Sequence, residues 1–391
     1  MAKKKVKDEV VIFANTLWFI INFKKSLINE LLKKGYLVKI IYLRIGPVFN
    51  LEDEFIIKEN LFVHTFLYFC LNTLKKQILS MRHNQRKILL AFTISPIILS
   101  SLPIFYGFDR YATLEGLGRV FTSKYIIFRI LRRLVERIYK FLFLRIYKSV
   151  FVLNHVDFSY LLENNVIPIS KINVIPGTGI NKKIFNPSNL YSLRLKKGLI
   201  DENLILNKDS MYITYIGRIS VDKGFYRFLS SALSLIDDPK YKDLKFRIVA
   251  PSKDIQLLSK DLKNFLKNKH FVVEKYLKDP LSYYCSALLV VLPTTYGEGL
   301  SRVALESGLL GIPVAAMNNR GISSLFMDGI LGEITLDTEP YGMTKIIKKI
   351  IDDYSTYSNL SDLTYKNLAD KYGDEASTSS VLKILEKLNT Q

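Results

Sequence analysis

Short runs of consecutive apolar residues recur along this chain, each followed by a longer stretch in which apolar positions return every three or four residues. The short runs read as strands buried on both faces and the longer stretches as amphipathic helices. Their alternation predicts parallel sheets covered by helices, an α/β architecture. Two such series are visible. In the first, residues 10–14 read as a strand, residues 23–34 as a helix closed by Gly35, and residues 36–43 as the next strand, with residues 88–94 and 149–153 continuing the sheet. In the second, residues 212–216, 246–250, 288–293 and 313–317 are strands with helices between them. The stretch VIPGTGI, residues 174–180, joins the two series. It divides the chain into an N-terminal domain over residues 1–176 and a C-terminal domain over 177–391, with the C-terminal helices as candidates to cross back to the first domain. No repeat of solenoid length and no low-complexity tract interrupts the pattern.

A chain of 391 residues with 49% hydrophobic residues can bury two ordinary cores, which argues against disorder. Its two cysteines, Cys70 and Cys285, stand far apart in apolar surroundings. They read as core residues of a protein in a reducing compartment and exclude a disulfide framework. The basic start, MAKKKVK, is followed by a short apolar run and no small-residue cleavage site, so no secretory signal is expected. Residues 88–108 carry no formal charge over 21 positions, while a bilayer span needs about 20. Pro96, Pro103 and several hydroxyl residues break that stretch, which fits a buried strand, a turn at Pro96 and a short helix or loop better than a membrane span.

Charge changes the picture. Of the net +20, residues 1–176 hold 27 Lys and Arg against 12 Asp and Glu, and the remainder 29 against 24. The first half is therefore expected to face something anionic. Residues 119–148 are the densest part: nine basic residues and one acidic residue, Glu136, with Phe121, Tyr125, Phe128, Tyr139, Phe141, Phe143 and Tyr147 interleaved. A basic, aromatic, helix-prone segment of this kind suits adsorption to anionic lipid headgroups, and a core helix with a solvated basic face is the alternative. Nucleic acid is a third option, but no nucleic-acid-binding motif accompanies the charge.

Two segments carry candidate chemistry. In LPTTYGEGLSRVALESGLLGIPVAAM, residues 292–317, a buried strand ends at Pro293 and a loop sets Glu298 between Gly297 and Gly299. A helix begins near Ser301, Gly311 terminates it and Pro313 opens the next strand. Ligands of open α/β sheets bind beyond the carboxyl ends of the strands, where a helix N-terminus offers N–H groups to an anion. Glu306 follows Glu298 by eight residues, about two turns of a continuous helix, so both carboxylates could line one ligand. In YIGRISVDKGFYRF, residues 215–228, a strand and a turn at Gly217 lead to Arg218 and then Lys223 ahead of a helix. Two fixed cations at the carboxyl edge of the same sheet suit a diphosphate, whose charge grows as its bond to a leaving group breaks.

With these motifs the sequence resembles the retaining glycosyltransferase family 4, whose members have the GT-B fold, two Rossmann-like domains with a cleft between them. GRISVDKG resembles the family's GR-x(3-4)-KG segment, EGLSRVALE its E-x7-E motif, and VIPGTGINKKIFNP its interdomain stretch. In the first half, IFANTLWFIINFKKSLINELLKKGYLVKIIY, AFTISPII, LEGLGRVF and VLNHVDF are similar to bacterial members of the N-acetylgalactosaminyltransferase type, which extend polyprenyl-diphosphate-linked sugars for surface glycans. The resemblance implies that Arg218 and Lys223 hold the donor diphosphate, Glu306 the ribose hydroxyls, and Glu298 with the backbone of Gly299, Leu300 and Ser301 the transferred sugar. Catalysis would then rest on Glu298, Arg218 and Lys223, with Asn15, Thr16, Gly116 and Gly118 facing the cleft from the acceptor side. Two departures stand out. None of His64, His83, His155 and His270 stands where family members place an N-domain histidine, His155 coming nearest. VVEKYLKD, residues 272–279, lacks the glycine common after that strand, which bears on base recognition.

The implied protein is a glycosyltransferase with a nucleotide-sugar donor, taken as UDP-linked, and a lipid-linked saccharide acceptor. It would lie cytoplasmic and peripheral on the inner face of the cell membrane. No cofactor is implied. A metal should be unnecessary, because no Asp-x-Asp pair stands at a strand end and Arg218 with Lys223 can neutralise the leaving diphosphate. The alternatives are an inactive GT-B scaffold subunit, a GT-B epimerase or phosphorylase-like enzyme and, last, a basic nucleic-acid binder.

Overall fold

The structure is a computed structural model, and the residues described are 8–45, 61–78, 86–123, 125–201, 207, 210–276 and 279–387. Among them the chain forms two compact units, one of residues 1–179 with 374–391 and the other of residues 180–373. The division falls at residue 179, three positions beyond the expected 176, and the last helix, Asp374–Lys387, belongs to the first unit.

The first unit is a seven-stranded parallel sheet in the order β3-β2-β1-β4-β5-β6-β7. Its strands are β1 Glu9–Thr16, β2 Leu37–Arg44, β3 Leu61–Thr65, β4 Lys87–Phe92, β5 Phe108–Leu114, β6 Ser149–Val152 and β7 Ile172–Val174. In the middle of the sheet, the first six residues of β1 and the last five of β4 are buried, as their continuous apolar sequences require. The second unit is a six-stranded parallel sheet in the order β10-β9-β8-β11-β12-β13. Here the strands are β8 Tyr212–Ile216, β9 Phe246–Ala250, β10 Phe271–Lys275, β11 Ala287–Leu292, β12 Val314–Met317 and β13 Gly332–Thr335. Strand order reverses between β1 and β4 in the first sheet and between β8 and β11 in the second. These are the topological switch points, at whose carboxyl ends open sheets leave a crevice.

Several boundaries differ from expectation. The first helix runs Leu17–Lys33, starting six residues early, because the Thr16 hydroxyl accepts a hydrogen bond from the Phe19 amide and caps it. β4 stops at Phe92 and Ile94 is already helical. Pro96 makes no turn: it lies in the first turn of the helix Ile94–Leu99, where a missing N–H costs nothing. No helix of the described residues is long and apolar enough to cross a membrane.

Residues 119–148 form the short helix Arg119–Thr122 and the long helix Ile126–Arg145, while Lys124 lies outside the described residues. The expected aromatic face is only partly there: Phe121, Tyr139, Phe143 and Tyr147 are buried in the core beside β5 and β6, although Tyr125 and Phe141 are exposed. Aliphatic side chains, Ile126, Ile127, Ile130, Leu131 and Leu134, supply the rest of the outward apolar surface.

Candidate active site

The motif residues of the second unit gather at its switch point. β8 delivers Gly217 and Arg218, and Tyr215 on that strand clamps the turn by donating its hydroxyl to the Arg218 carbonyl at 2.5 Å. Arg218 is exposed and has no ion-pair partner among the described residues. The turn continues through Asp222 and Lys223 to Gly224, which opens the helix Phe225–Ile236 with φ +74°. A Cβ at Gly224 would stand 1.9 Å from the Pro293 carbonyl oxygen, so only glycine lets this turn lie against the end of β11. The same seam is tied by the Asp222 carbonyl, which accepts from the Thr294 hydroxyl and the Thr295 amide.

From β11 the chain enters the loop holding Glu298. The helix that follows, Arg302–Leu309, is capped by Ser301, whose hydroxyl accepts from the Ala304 amide. Glu298 is therefore in a loop and not on that helix, so the two-turn relation to Glu306 does not hold. The carboxylate of Glu298 instead forms an ion pair with Lys223, and the Lys223 ammonium lies 5.6 Å from the centroid of the Tyr296 ring. The residues expected on the diphosphate and on the transferred sugar thus meet each other. Gly321 supports the loop from behind, since a Cβ there would come within 2.7 Å of the Glu298 carbonyl oxygen.

Glu306 is buried with both carboxylate oxygens engaged: Arg302 donates to Oε1 and the Tyr284 hydroxyl to Oε2, each at 2.6 Å. Burial, with the Glu306 charge beside it, holds the Tyr284 hydroxyl well above its ordinary pKa and keeps it a donor. Each oxygen retains a second lone pair for a ligand hydroxyl. The sequence reading missed Tyr284 and Arg302, though the i,i+4 spacing of Arg302 and Glu306 signals the pair. It also missed Tyr276, which follows β10 where VVEKYLKD departs from the family pattern. Tyr276 is 40% exposed and its ring lies 5.8 Å from that of Tyr283. The next two residues of that segment, Leu277 and Lys278, lie outside the described residues.

In the first unit Asn15 and Thr16 end β1, although the Thr16 hydroxyl is committed to its helix cap. Gly116, with φ +121°, and Gly118, with φ +71°, follow β5. His155 is the exposed first residue of the helix His155–Glu163, His270 is buried with Nδ1 3.1 Å from the Leu244 carbonyl, and His83 lies outside the described residues. No group of three or more His, Cys, Asp or Glu able to hold a metal occurs among the described residues.

The fold is GT-B. Anabaena Alr3699/HepE, solved in complex with UDP and glucose, superposes with a TM-score of 0.73 over 96% of this chain and 99% of its own, at 14% identity. Residues 197–367 match the family of glycosyl transferases group 1, a match lying wholly within the second unit. The chain is 25% identical over 198 residues to the capsular polysaccharide biosynthesis glycosyltransferase CapM of Staphylococcus aureus, covering 49% of this chain and 51% of that one. It is 26% identical over 230 residues to the D-inositol 3-phosphate glycosyltransferase of Paenarthrobacter aurescens (strain TC1), covering 55% and 51%. The chain thus spans about half the length of the curated relatives it matches.

Proposed function

We propose that the protein is a retaining glycosyltransferase that moves a sugar from a UDP-sugar to a lipid-linked saccharide at a membrane surface, without a metal. The observation that carries this reading is the convergence of Arg218, Lys223, Glu298 and Glu306 at one switch point of a GT-B unit. Arg218 and Lys223 supply the fixed positive charge that a departing diphosphate needs, and Glu306 offers lone pairs to ribose hydroxyls. Tyr276 gives the uracil ring an aromatic surface. Group 1 similarity within this unit, and UDP in the HepE complex, support the donor assignment. The CapM likeness supports a role in surface glycans.

The membrane assignment rests on the helix Ile126–Arg145. Ile126, Ile130, Leu134 and Phe141 share an exposed stripe, and Arg129, Arg133, Arg137 and Lys140 are exposed along its border. An apolar stripe edged with cations is what an interfacial helix presents to anionic headgroups. Acceptors anchored in a bilayer suit a protein held this way.

The test is thermal stabilisation by UDP, followed by nucleotide release from UDP-sugars in the presence of excess EDTA. Saturating UDP at 100 times its Kd should stabilise the protein by about 2.7 kcal/mol. Turnover lost in EDTA and restored by Mn²⁺ or Mg²⁺ would remove Arg218 and Lys223 from the leaving-group role, and binding without turnover on any donor would favour an inactive scaffold.

A further inference from the structure

The second unit holds a cavity of about 590 Å³ at the edge of its sheet opposite the motif residues. Its lining gathers the amino ends of four neighbouring strands: Met211 and Ile213 at the start of β8, Lys245 just before β9, His270 just before β10 and Leu288 near the start of β11. β8 is five residues long, so about 16 Å of strand, at ~3.3 Å per residue, separates this edge from the one that carries Arg218. The volume is that of a small-molecule site, which occupies roughly 300–1,000 Å³.

The lining divides by chemistry. Met211, Ile213 and Leu288 are buried and give the cavity an apolar side. Three lysines line it, Lys240, Lys245 and Lys269, against one acid, Asp243. Lys240 is committed to Asp352 at 2.7 Å, and the Asp352 carboxylate also accepts from the Tyr241 hydroxyl at 2.8 and 2.9 Å. Two cations and one acid remain, so the lining is net positive. Next to Lys269 stands His270, only 9% exposed. Its Nδ1 lies 3.1 Å from the Leu244 carbonyl, which can only accept, so Nδ1 carries the proton and in the neutral ring Nε2 is an acceptor. Among the described residues no group bonds Nε2. A nearly buried acceptor without a partner, in the wall of a cavity, is open to a donor on a ligand.

These features select the ligand. An aliphatic acid has an apolar body but no donor for Nε2, and a sugar phosphate has donors but no flat apolar face. A base joined to a phosphate has all three: a ring for the apolar side, a ring or amino N–H for Nε2, and an anion for the lysines. We propose that the cavity is a second ligand site, for a nucleoside monophosphate, with its base against Met211, Ile213 and Leu288, a base N–H donating to His270 Nε2, and its phosphate held by Lys245 and Lys269. The site uses none of the motif residues and does not depend on the glycosyltransferase reading.

The experiment titrates AMP, GMP, CMP and UMP calorimetrically into the full chain, with ribose 5-phosphate as the form that lacks the base. At least one nucleotide should bind, about tenfold or more tighter than ribose 5-phosphate, from the apolar burial and hydrogen bond of its base. Lys269→Glu, at an exposed position, should weaken that nucleotide about tenfold or more, as loss of a hydrogen bond to a charged group does. His270→Asn keeps an N–H for the Leu244 carbonyl and deletes Nε2. It should narrow the margin between nucleotide and ribose 5-phosphate, whereas a purely structural role weakens both alike. Should His270→Asn fail to fold, Lys269→Glu decides. Arg218→Ala, at the other edge, should weaken UDP and leave the monophosphate as it was. A monophosphate lost in Arg218→Ala and kept in Lys269→Glu is bound at the donor site and overturns the proposal, as does no binding by any of the four or equal binding of ribose 5-phosphate. Failure to bind UDP alone sinks the glycosyltransferase reading and leaves the cavity site standing.

Discussion

At the residue scale, the pairing of Lys223 with Glu298 changes what single substitutions should do. If Lys223 neutralises the departing diphosphate, Lys223→Ala should lower turnover more than it weakens donor binding, because only interactions stronger in the transition state raise the rate. Losing one preorganised donor of this kind costs about 2.7–4 kcal/mol, or roughly 100- to 1000-fold in turnover. Glu298→Ala removes the carboxylate that holds the lysine. It should leave affinity for free UDP unchanged or tighter, since UDP lacks the sugar and gains an unpaired cation, while turnover collapses. Glu306→Ala should weaken UDP and donor alike, and part of that loss comes from the hydrogen bonds that Arg302 and Tyr284 donate to its carboxylate. Calorimetric titration of UDP into the three variants, beside their steady-state kinetics, separates the roles. UDP binding abolished by Glu298→Ala and retained by Glu306→Ala would reverse the two glutamates. A smaller substitution tests the scaffold: Gly224→Ala, facing a carbonyl 1.9 Å away at φ +74°, should part the β8 and β11 loops and lower UDP affinity along with stability.

At the scale of elements, the helix Ile126–Arg145 carries its charge unevenly. The density of arginines marked it in the sequence, yet its arginines are not equivalent. Arg132 donates to the Val120 and Ser123 carbonyls, both at 3.1 Å, and pins the preceding turn. Arg129, Arg133 and Arg137 are exposed. Sedimentation with anionic liposomes should therefore fall when these three are changed to Gln, by about 1 kcal/mol for each charge near the surface, and high salt should do the same. Arg132→Gln should lower the melting temperature first, and unchanged sedimentation of the triple variant would take the helix off the membrane. Adsorbed helix and core helix stayed open as alternatives for this stretch because periodicity alone does not say which face of a helix meets the sheet; β5 and β6 settle that for Tyr139 and Phe143, which are in the core. The same gap explains the strands that went unread. β3, β7 and β13 are short and half-polar, and β5 carries Asp109 and Arg110, so none has the unbroken apolar run of β1, β4 or β11. What was legible was what local chemistry dictates: β8 and β9 to the residue, the Ser301 cap, and the cations and carboxylates of the second unit. Illegible were the partners brought in by tertiary folding, such as Lys24 with Glu115, 91 positions apart.

At the scale of the whole molecule, the first unit is closed by a helix that follows the second unit in sequence. Asp374–Lys387 packs on the helix Leu17–Lys33, burying Val381, Leu382 and Leu385, while Glu386 pairs with Lys34 at 3.0 Å and the Ser377 hydroxyl donates to the Gly177 carbonyl at 2.7 Å. Each fully buried aliphatic side chain contributes roughly 1.5–3 kcal/mol, so removing three approaches the whole stability of an ordinary domain, about 5–15 kcal/mol. The exposed Lys34–Glu386 pair adds little to that, a median of about 0–1 kcal/mol. A chain ending at Gly373 keeps every residue of the second unit, including the bridge of Ile180 to Gly373. It should therefore lose the calorimetric transition of the first unit, bind ANS through the uncovered face of Leu17–Lys33, and still bind UDP with near wild-type affinity. Adding a synthetic peptide of residues 374–391 should restore the lost transition in proportion to its concentration, as any ligand of the folded state does. Loss of UDP binding together with the first transition would mean that the two units do not fold independently, and the division of labour assigned to them would fall with it.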